Sequence, residues 1–298
     1  MIQDFATMIE KVSGFDKSSI SVAAAHDKEV LEAVVLASRA SGIRPVLFGD
    51  ASRISNLLDE IGFTGAYEVI NEPDDAACAR ASVKYVHDDR AQVLMKGLVN
   101  TSSLMRAVLD KDIGLRTGRI LSHLAAFELP GFSRLIYVTD GGVNIEPDFE
   151  DKKEILMNAL LALKKIGYEC PRVAVLAANE LVNKKATATV DAARIASAWE
   201  EGEFGPDCVV EGPIALDVAL SRDAAKHKHL RSSVAGKTDI LLAPTIEVGN
   251  VLGKCMTHLA NAKMAGVVLG AKVPIVLASR SETAQNKMYS IFFSACCA

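Results

Sequence analysis

Short apolar runs alternate with longer amphipathic segments along most of the chain. Each run has the length of a buried strand and is rich in Val, Ile and Leu, and the segments between them carry apolar residues at helical spacing. In the first 117 residues this pattern predicts four strand–helix pairs, with strands at 19–24, 45–48, 68–70 and 92–95 and helices at 27–40, 52–61, 74–87 and 102–109. Such alternation is typical of a parallel sheet covered by helices on both faces.

The pattern changes near residue 117. Two strand-like runs, 120–127 and 135–139, follow one another without a helix between them, and Pro130-Gly131 separates them. We therefore predict a local antiparallel or crossing arrangement and a change of domain at this point. The alternation then resumes with a helix, a strand, a second helix and a short strand, at 149–165, 172–177, 186–199 and 208–210.

The last quarter of the chain contains three further apolar runs, at 240–243, 266–269 and 274–278. The polar loop 244–250 is predicted to open a helix that ends near Ala265. The third run stops at Ser279-Arg280, where a polar final helix is predicted to begin. Parallel strands whose ends carry Gly, Asn, Lys, Ser and Arg are typical of a crevice that binds anionic ligands.

Composition narrows the class of protein. Of the 298 residues, 50% are hydrophobic and only 5% are aromatic, which favours an aliphatic core of the kind found in parallel-sheet proteins. The net charge of -4 argues against nucleic acid as a partner, because nucleic-acid binding needs a basic surface. No apolar run is long enough to span a membrane. Residues 1–12 have mixed charges and lack the features of a signal peptide, so we expect a cytoplasmic location.

Cysteine and histidine positions do not indicate a metal site. None of the six cysteines forms a C-x-x-C pair, so reduced, buried thiols are predicted. His123 lies inside an apolar run and is predicted to be a hydrogen-bonded core residue, whereas His227 and His229 are predicted to be solvated. No His, Cys and Asp cluster has metal-ligand spacing, and no structural metal is predicted.

Four strand ends carry glycine turns that lead towards a polar or charged residue. They are Lys96-Gly97 before Asn100-Thr101, Asp140–Gly142 before Asn144, Gly212-Pro213 before Asp217, and Gly249-Asn250 before Lys254. Glycine allows backbone N–H groups to approach a ligand, and a helix N-terminus favours an anion there. A single turn of this kind usually serves chain reversal alone, but four of them favour a phosphate-rich ligand.

The common nucleotide and hydrolase motifs are not present. Gly249-x-x-x-Gly253-Lys254 is one residue shorter than the phosphate loop, and Cys255 replaces its Ser or Thr. No G-x-G-x-x-G opens the first strand–helix unit, and no G-x-S-x-G occurs. The sequence therefore supports neither an NTPase, nor a common dinucleotide dehydrogenase, nor a serine hydrolase of the α/β type.

Two arginines are the best placed cations. Arg106 lies about a turn and a half into the helix after Asn100-Thr101 and either reaches back to an anion or faces solvent. Arg280 follows an apolar strand directly, and a guanidinium grips phosphate or carboxylate at two points. Its neighbour Ser279 either contacts a ligand or caps the final helix.

Five motifs in this order resemble the phosphate acetyl/butyryltransferase family. They are Lys96–Thr101, Asp140–Asn144, Glu211–Asp217, Pro244–Asn250 with Lys254, and Pro274–Arg280. The resemblance covers nearly the whole chain, and the ending Ser279-Arg-Ser-Glu282 resembles the butyryl branch more than the acetyl branch. The resemblance implies reversible transfer of a short-chain acyl group between coenzyme A and inorganic phosphate. Acyl-CoA, inorganic phosphate and acyl phosphate would be the partners, with no tightly bound cofactor.

The resemblance also implies an architecture. It predicts two α/β/α domains with mostly parallel sheets and an interdomain active-site cleft, as in isocitrate and isopropylmalate dehydrogenases. The first domain would comprise residues 1–117 and 277–298, and the second residues 118–276. The subunit is expected to assemble as a homodimer or a higher homo-oligomer.

Roles for individual residues follow from the same resemblance. Arg106 is expected to bind phosphate or acyl phosphate, and Ser279 and Arg280 to lie beside the coenzyme A sulfur and the reacting carbonyl. Ten further residues are expected to bind substrate, namely Lys96, Gly97, Asn100, Thr101, Asn144, Gly212, Asp217, Gly249, Asn250 and Lys254. The acetyl branch has an aspartate seven residues after the serine, where this chain has Asn286. Glu282 is the nearest acidic alternative as a base, although an exposed Glu at a helix start is also common.

Three other functions stay open at this stage. Phosphate acetyltransferase activity is the nearest of them. A metal- and NAD-dependent decarboxylating dehydrogenase would share the architecture, but the sequence lacks an acidic metal cluster. A coenzyme A-binding protein that has lost the catalytic base is also compatible with Asn286.

Overall fold

The computed structural model of the chain describes residues 2–12, 18–279 and 282–298. The described chain divides into two compact units. The terminal unit comprises Asp4–Arg119 and Met264–Ala298, and the central unit comprises Ile120–Lys263 together with Ile2 and Gln3. The predicted domain bounds, 1–117 with 277–298 and 118–276, stay a prediction.

The helices and strands alternate along the chain. The first half of the terminal unit contains α1 Phe5–Val12, β1 Ser19–Ala23, α2 Lys28–Ser41, β2 Arg44–Gly49, α3 Ala51–Ile61, β3 Glu68–Asn71, α4 Asp75–His87, β4 Val93–Lys96 and α5 Thr101–Val108. The central unit contains β5 Ser122–Glu128, β6 Ile136–Thr139, α6 Phe149–Lys165, β7 Arg172–Leu176, α7 Thr187–Glu200, β8 Val209–Ile214, α8 Leu216–Leu220, α9 Arg222–His227, β9 Ile240–Leu242 and α10 Ile246–His258. The chain then continues through β10 Lys263–Leu269, β11 Ile275–Val276 and α11 Ala284–Cys297.

Aspartate caps explain where several helices begin. The carboxylates of Asp27, Asp50, Asp74 and Asp148 each accept a hydrogen bond from the backbone N–H three residues later. Each bond satisfies one of the N–H groups that have no partner within the first helical turn. Helices α2 and α3 end at Gly42 and Gly62, whose φ values of 77° and 67° lie in the left-handed region that favours glycine.

The sheet strands of the terminal unit run in the order β3-β2-β1-β4-β11-β10. Strands β3, β2, β1, β4 and β11 pair in parallel, and β10 pairs antiparallel with β11. The chain proceeds from β1 towards β2 and β3 on one side and returns to β4 on the other. The boundary between β1 and β4 is therefore a topological switch point, where open α/β sheets bind ligands at the carboxyl ends of their strands.

The strands of the central unit run in the order β5-β6-β9-β7-β8. Strands β6, β9, β7 and β8 are parallel, and β5 pairs antiparallel with β6, with Leu124 opposite Thr139. The antiparallel arrangement predicted for the two runs after residue 117 is confirmed. The predicted α/β class with mostly parallel strands is also confirmed.

The helix of the last quarter is shorter than the sequence pattern predicts. Helix α10 starts at Ile246, inside the predicted loop, and ends at His258 rather than near Ala265. Asn261 adopts a left-handed conformation, with φ of 53°, which reverses the chain and lets β10 begin at Lys263. The prediction is wrong because the Ala-rich segment after His258 has good helix propensity, and tertiary pairing overrides that weak preference.

The final helix is buried, not polar as predicted. All the residues from Lys287 to Cys297 are buried in α11, and Tyr289 stacks on Phe5 of α1 with ring centroids 4.4 Å apart. The prediction is wrong because the charged Lys287 near the start of the helix is itself buried. Its ammonium group is paired with the Glu29 carboxylate at 3.0 Å. Helix α11 therefore belongs to the core of the terminal unit.

Four of the six cysteines, Cys78, Cys208, Cys296 and Cys297, are free and buried, as predicted. The prediction is wrong for Cys170 and Cys255, which are free and exposed. No helix in the described part of the chain combines the length and apolar character needed to cross a membrane.

Candidate functional site

In the terminal unit, two predicted site segments emerge side by side from the sheet. Strands β4 and β11 are parallel neighbours, with Val276 opposite Met95. The turn that starts at Lys96 and the segment that leads to Ser279 therefore leave the sheet at the same edge. This edge adjoins the switch point between β1 and β4, which makes it the expected place for a ligand.

The turn after β4 requires glycine at Gly97, and the side chain of Lys96 is buried beneath it. The Gly97 N–H donates to the Ala23 carbonyl at 2.8 Å, and a Cβ at Gly97 would lie 2.2 Å from the Ala24 carbonyl oxygen. Lys96 is buried, and its Nζ donates to the Gly97 carbonyl at 3.1 Å. The lysine thus stabilises the turn from within. Its predicted contact with substrate stays a prediction.

Helix α5 presents an open N-terminus at this edge. Asn100 occupies the cap position, and its side chain makes no capping hydrogen bond. Asn100 and Thr101 are both exposed. Because a helix start carries backbone N–H donors and the positive end of the helix dipole, an anion is favoured here.

Arg106 lies in the last turn of α5 and is exposed. Five residues separate it from Thr101, which is roughly 7–8 Å along the helix axis. A guanidinium on a long, flexible side chain can span that distance towards the helix start. The last turn also carries the negative end of the helix dipole, which favours a cation there. The geometry is therefore compatible both with an arginine that reaches back to an anion and with one that faces solvent.

Two hydrogen bonds join Ser279 and Glu282 ahead of α11. The Ser279 N–H donates to the Glu282 carboxylate at 2.9 Å, and the Glu282 N–H donates to the Ser279 carbonyl at 3.2 Å. The Glu282 carboxylate therefore positions the backbone of the exposed Ser279. Arg280, the predicted catalytic residue that follows Ser279 in the sequence, lies outside the described residues.

Asn286 joins α11 to the start of β10. Its Oδ1 accepts a hydrogen bond from the Met264 N–H at 3.4 Å, and its own N–H donates to Thr283 Oγ1 at 3.2 Å. An amide oxygen serves this contact as well as a carboxylate oxygen would. The residue that departs from the acetyl branch thus has a structural role in this chain.

In the central unit, Asp140 organises the turn after β6. Asp140 is 2% exposed, and its carboxylate accepts five hydrogen bonds. The donors are Asn144 Nδ2 at 2.7 Å and the backbone N–H groups of His123, Gly142, Val143 and Asn144. Buried carboxylates need such donors to offset their lost hydration. Asp140 lies within one of the motifs found in the sequence, but no role was predicted for it.

The same turn packs directly on α10. A Cβ at Gly249 would lie 2.4 Å from the Asp140 carbonyl oxygen, and one at Gly141 would lie 2.8 Å from the Gly249 carbonyl carbon. Asn250 Nδ2 donates to the Gly141 carbonyl at 3.1 Å. The glycines let two backbones approach closely, and this contact brings the predicted Asn144 and Gly249-Asn250 turns together. Lys254 follows one helical turn later and is exposed.

His123 lies against this turn and was not predicted as a site residue. A Cβ at Gly142 would lie 3.0 Å from the His123 ring. Burial lowers the pKa of His123, and the nearby Asp140 charge only partly opposes this shift. The ring Nδ1 has no hydrogen-bond partner among the described residues, so the prediction of a hydrogen-bonded ring is wrong at that atom. A neutral imidazole therefore packs beneath the glycine turn.

Gly212 and Asp217 have contacts with structural roles in the central unit. A Cβ at Gly212 would lie 2.9 Å from the Ala192 carbonyl oxygen of α7, so glycine permits close packing there. The Asp217 carboxylate lies 3.0 Å from Lys228 Nζ. The hydrogen bond from Lys228 holds the pKa of Asp217 below its ordinary value. Their predicted contacts with substrate stay predictions.

The described residues contain no group of three or more His, Cys, Asp or Glu side chains arranged to hold a metal ion. The donors gathered at the strand ends are instead backbone N–H groups, amides and exposed cations. Such donors suit phosphate or another anion better than a metal ion.

These features define a mixed α/β protein with glycine turns, backbone N–H donors and exposed cations at the carboxyl ends of parallel strands. A branched-chain phosphotransacylase from Enterococcus faecalis V583 has the same fold, with a TM-score of 0.84 and 31% sequence identity over 94% of this chain and 98% of that chain. Phosphate butyryltransferase of Clostridium acetobutylicum is 40% identical over 99% of this chain and 98% of the relative. Phosphate acetyltransferase of Thermotoga maritima is 39% identical over 97% of each.

The family described as "Phosphate acetyl/butaryl transferase" matches residues 67–295. The chain belongs to this family, and it is therefore an acyltransferase. The resemblance on which the sequence analysis relied is confirmed.

Proposed function

We propose that this acyltransferase moves a short-chain acyl group, with butyryl favoured, between coenzyme A and inorganic phosphate. Membership of the family supports the reaction type. The single structural observation that carries the proposal is that two predicted site segments leave the sheet of the terminal unit side by side. There the open start of α5, with Asn100 and Thr101, leaves the sheet beside the segment that leads to Ser279.

The proposed reaction is direct. In one direction the coenzyme A thiolate attacks the carbonyl carbon of the acyl phosphate, a tetrahedral oxyanion forms, and phosphate leaves. In the other direction phosphate attacks the thioester and the thiolate leaves. No covalent enzyme intermediate is needed, so the rate depends on orienting two bound anions and stabilising the oxyanion.

We assign roles to the residues of this edge accordingly. The start of α5 and Arg106 bind the phosphoryl oxygens, which suit backbone N–H groups and a guanidinium. Ser279 and Arg280 contact the sulfur and the carbonyl oxygen. A thiol like that of free Cys has a pKa of about 8.5 and is mostly protonated at neutral pH, so a base or a nearby cation assists attack. Glu282 is our candidate for the base.

The remaining predicted residues hold the rest of the substrates. In the terminal unit these are Lys96 and Gly97, which shape the turn. In the central unit they are Asn144, Gly212, Asp217, Gly249, Asn250 and Lys254. Coenzyme A and phosphate act as substrates in this proposal, with no tightly bound cofactor. A cytoplasmic location belongs to it as well, and fractionation of cells that express the tagged chain would test that point.

The proposal is tested by mixing purified protein with butyryl-CoA and phosphate and following free thiol. We expect thiol release that depends on phosphate. The control omits phosphate and separates transfer from simple hydrolysis. Release of no thiol with any short acyl-CoA, or equal release without phosphate, would contradict the reaction.

Phosphate acetyltransferase activity is the second candidate, since the Thermotoga maritima relative is a phosphate acetyltransferase. Comparing kcat/KM for acetyl-, butyryl- and branched acyl-CoA decides between the two. A higher value for acetyl-CoA than for the longer substrates would overturn the butyryl preference while leaving the reaction type intact. Calorimetric binding of coenzyme A without turnover would instead indicate a binding protein.

A further inference from the structure

Lys287 places a buried ammonium group near the start of α11. Its side chain is 4% exposed, and it is the only charged residue in the sequence of this helix. An ammonium group loses its hydration on burial, and an apolar residue of similar volume often stabilises a protein equally well or better. Packing therefore gives no reason for a lysine at this position, and the contacts of its ammonium group indicate a different role.

The Lys287 ammonium group contacts two separate segments of the terminal unit. Nζ donates a hydrogen bond to the Glu282 backbone carbonyl at 2.5 Å, and it lies 3.0 Å from the Glu29 carboxylate. Glu29 belongs to the first turn of α2, and its side chain is 61% exposed. Solvent screens this ion pair and limits its strength. The firmer constraint is the charge-assisted hydrogen bond to the Glu282 carbonyl.

Glu282 passes this constraint on to Ser279. The Glu282 N–H donates to the Ser279 carbonyl at 3.2 Å, and the Glu282 carboxylate accepts a hydrogen bond from the Ser279 N–H at 2.9 Å. Ser279 is exposed, so its place depends on these hydrogen bonds more than on packing. An ammonium group that holds the Glu282 backbone therefore also fixes where Ser279 lies.

The same ammonium group links two elements at the topological switch point. Helix α2 follows β1, and Ser279 follows β11. In the sheet, β1 and β11 are the two neighbours of β4, whose turn leads to the start of α5. Lys287 thus ties together the chain segments that leave the sheet on either side of the proposed phosphate site.

We propose that Lys287 is a positioning residue for acyl transfer. Its ammonium group holds the Glu282 backbone, and through it Ser279, in a fixed place beside the start of α5. Lys287 acts through Glu282 and does not touch the substrate. The inference rests on the proposed function, because it takes Ser279 to contact the reacting atoms.

Lys287→Met tests the proposal, because it removes the ammonium group and keeps a side chain of similar length that suits an apolar helix. We expect kcat for phosphate-dependent thiol release to fall roughly 10- to 100-fold, the loss that follows from a misplaced group at the reacting atoms. The KM for phosphate is expected to stay within about twofold, because α5 and Arg106 keep their places. Lys287→Arg retains a cation that can reach solvent beside Glu29, and it is expected to recover most of the lost kcat.

Lys152→Met is the matched control. Lys152 is another buried lysine, whose side chain is 6% exposed and whose Nζ lies 2.7 Å from the Asp191 carboxylate in the central unit. Lys152→Met leaves Asp191 buried without this cation, whereas Lys287→Met leaves the exposed Glu29 in water. We therefore expect the larger fall in Tm for Lys152→Met and the larger fall in kcat for Lys287→Met. A purely structural role for Lys287 would make kcat follow Tm.

Hydrogen exchange at the Ser279 N–H, followed by NMR, tests the positioning without turnover. Lys287→Met is expected to speed this exchange roughly tenfold, the factor that corresponds to the loss of one hydrogen bond, and Lys152→Met to leave it unchanged. A wild type without phosphate-dependent thiol release would refute the proposed function, and the exchange rates would still decide whether Lys287 positions Ser279. With an active wild type, equal kcat in Lys287→Met and Lys152→Met overturns the inference. Unchanged exchange at Ser279 in Lys287→Met, or a kcat in Lys287→Arg as low as in Lys287→Met, overturns it as well.

Discussion

The contact between the Asp140–Asn144 turn and α10 allows a quantitative prediction. In Gly249→Ala the new Cβ would lie 2.4 Å from the Asp140 carbonyl oxygen, 2.8 Å from the Gly141 Cα and 3.0 Å from the Asp140 carbonyl carbon. All three neighbours are backbone atoms, so no side chain can rotate away. Since ordinary contact begins near 3.4 Å, the turn and the helix must separate by about 1 Å.

Two opposing terms determine the change in stability. Alanine is favoured over glycine inside a helix by about 1 kcal/mol. Forcing extra volume into a tight backbone contact costs typically about 1–3 kcal/mol, and an incompatible backbone contact lies at the upper end. We therefore expect Gly249→Ala to lose about 1–2 kcal/mol in the free energy of unfolding. For a domain of roughly 150–250 residues this lowers Tm by about 2–8 °C.

Activity should fall more than stability. The displaced turn carries Asn144, and Asn250 loses its hydrogen bond to the Gly141 carbonyl. A misplacement of about 1 Å in a positioning group can reduce the rate by about 100-fold. Thermal unfolding and the phosphate-dependent thiol assay measure the two effects separately.

Gly253→Ala, in the same helix, is the matched control. Its Cβ would contact only the Phe127 ring, at 3.1 and 3.8 Å, and a ring can tilt. The gain in helix propensity then dominates, so Tm should stay constant or rise slightly, with activity unchanged. If Gly249→Ala matches this control in Tm and kcat/KM, the close contact between turn and helix does not hold the site, and the reasoning fails.

Three further changes test individual side chains. Arg106→Ala should raise the KM for phosphate roughly 10- to 100-fold, because a charge-assisted hydrogen bond is lost. Arg53→Ala, at an exposed position in α3, should leave this KM unchanged. Equal KM values in the two variants would refute phosphate binding by Arg106. Because burial lowers the pKa of His123 in the folded state, the neutral ring stabilises the protein above the unfolded value of about 6.5, and this stability is lost as the pH falls below it. His123→Gln should remove that part of the pH dependence of Tm, and His227→Gln, at an exposed position, should keep it. The opposite pattern would show that His123 is not the group whose pKa is lowered on folding. Glu282→Gln retains an acceptor for the Ser279 N–H. A modest fall in kcat therefore indicates that Glu282 only positions Ser279, and abolished turnover with intact coenzyme A binding identifies Glu282 as the base.

Much of the fold could be predicted from local pattern. Runs such as 45–48 and 240–243 are apolar on both faces, which is how a parallel strand beneath two helix layers appears in a sequence. The antiparallel pair after residue 117 was also visible, because no helical segment separates its two runs. These features depend on neighbours a few residues away, and the sequence displays such neighbours directly.

The site was only partly predictable. The glycine turns were recognised, yet the reason for Gly249 is a backbone contact with Asp140, more than a hundred positions away. His123 appeared as an ordinary core residue, because no local pattern shows that it lies beneath Gly142. The buried hydrogen bonds to Asp140 come from two separate segments and could not be counted in advance.

The sequence by itself determined the strand and helix alternation, the ordered motifs of an acyltransferase family and the residue types at the strand ends. Periodicity and residue chemistry are local properties, and they are sufficient for these features. Only the tertiary structure decided where α10 ends, that α11 is buried, and which turns meet. Each of these outcomes depends on a specific tertiary feature. Asn261 is left-handed and allows the chain to reverse after α10, Lys287 pairs with Glu29, and Gly249 contacts Gly141. Burial and polar partners depend on segments that are distant in the chain and are brought together only when the sheets form.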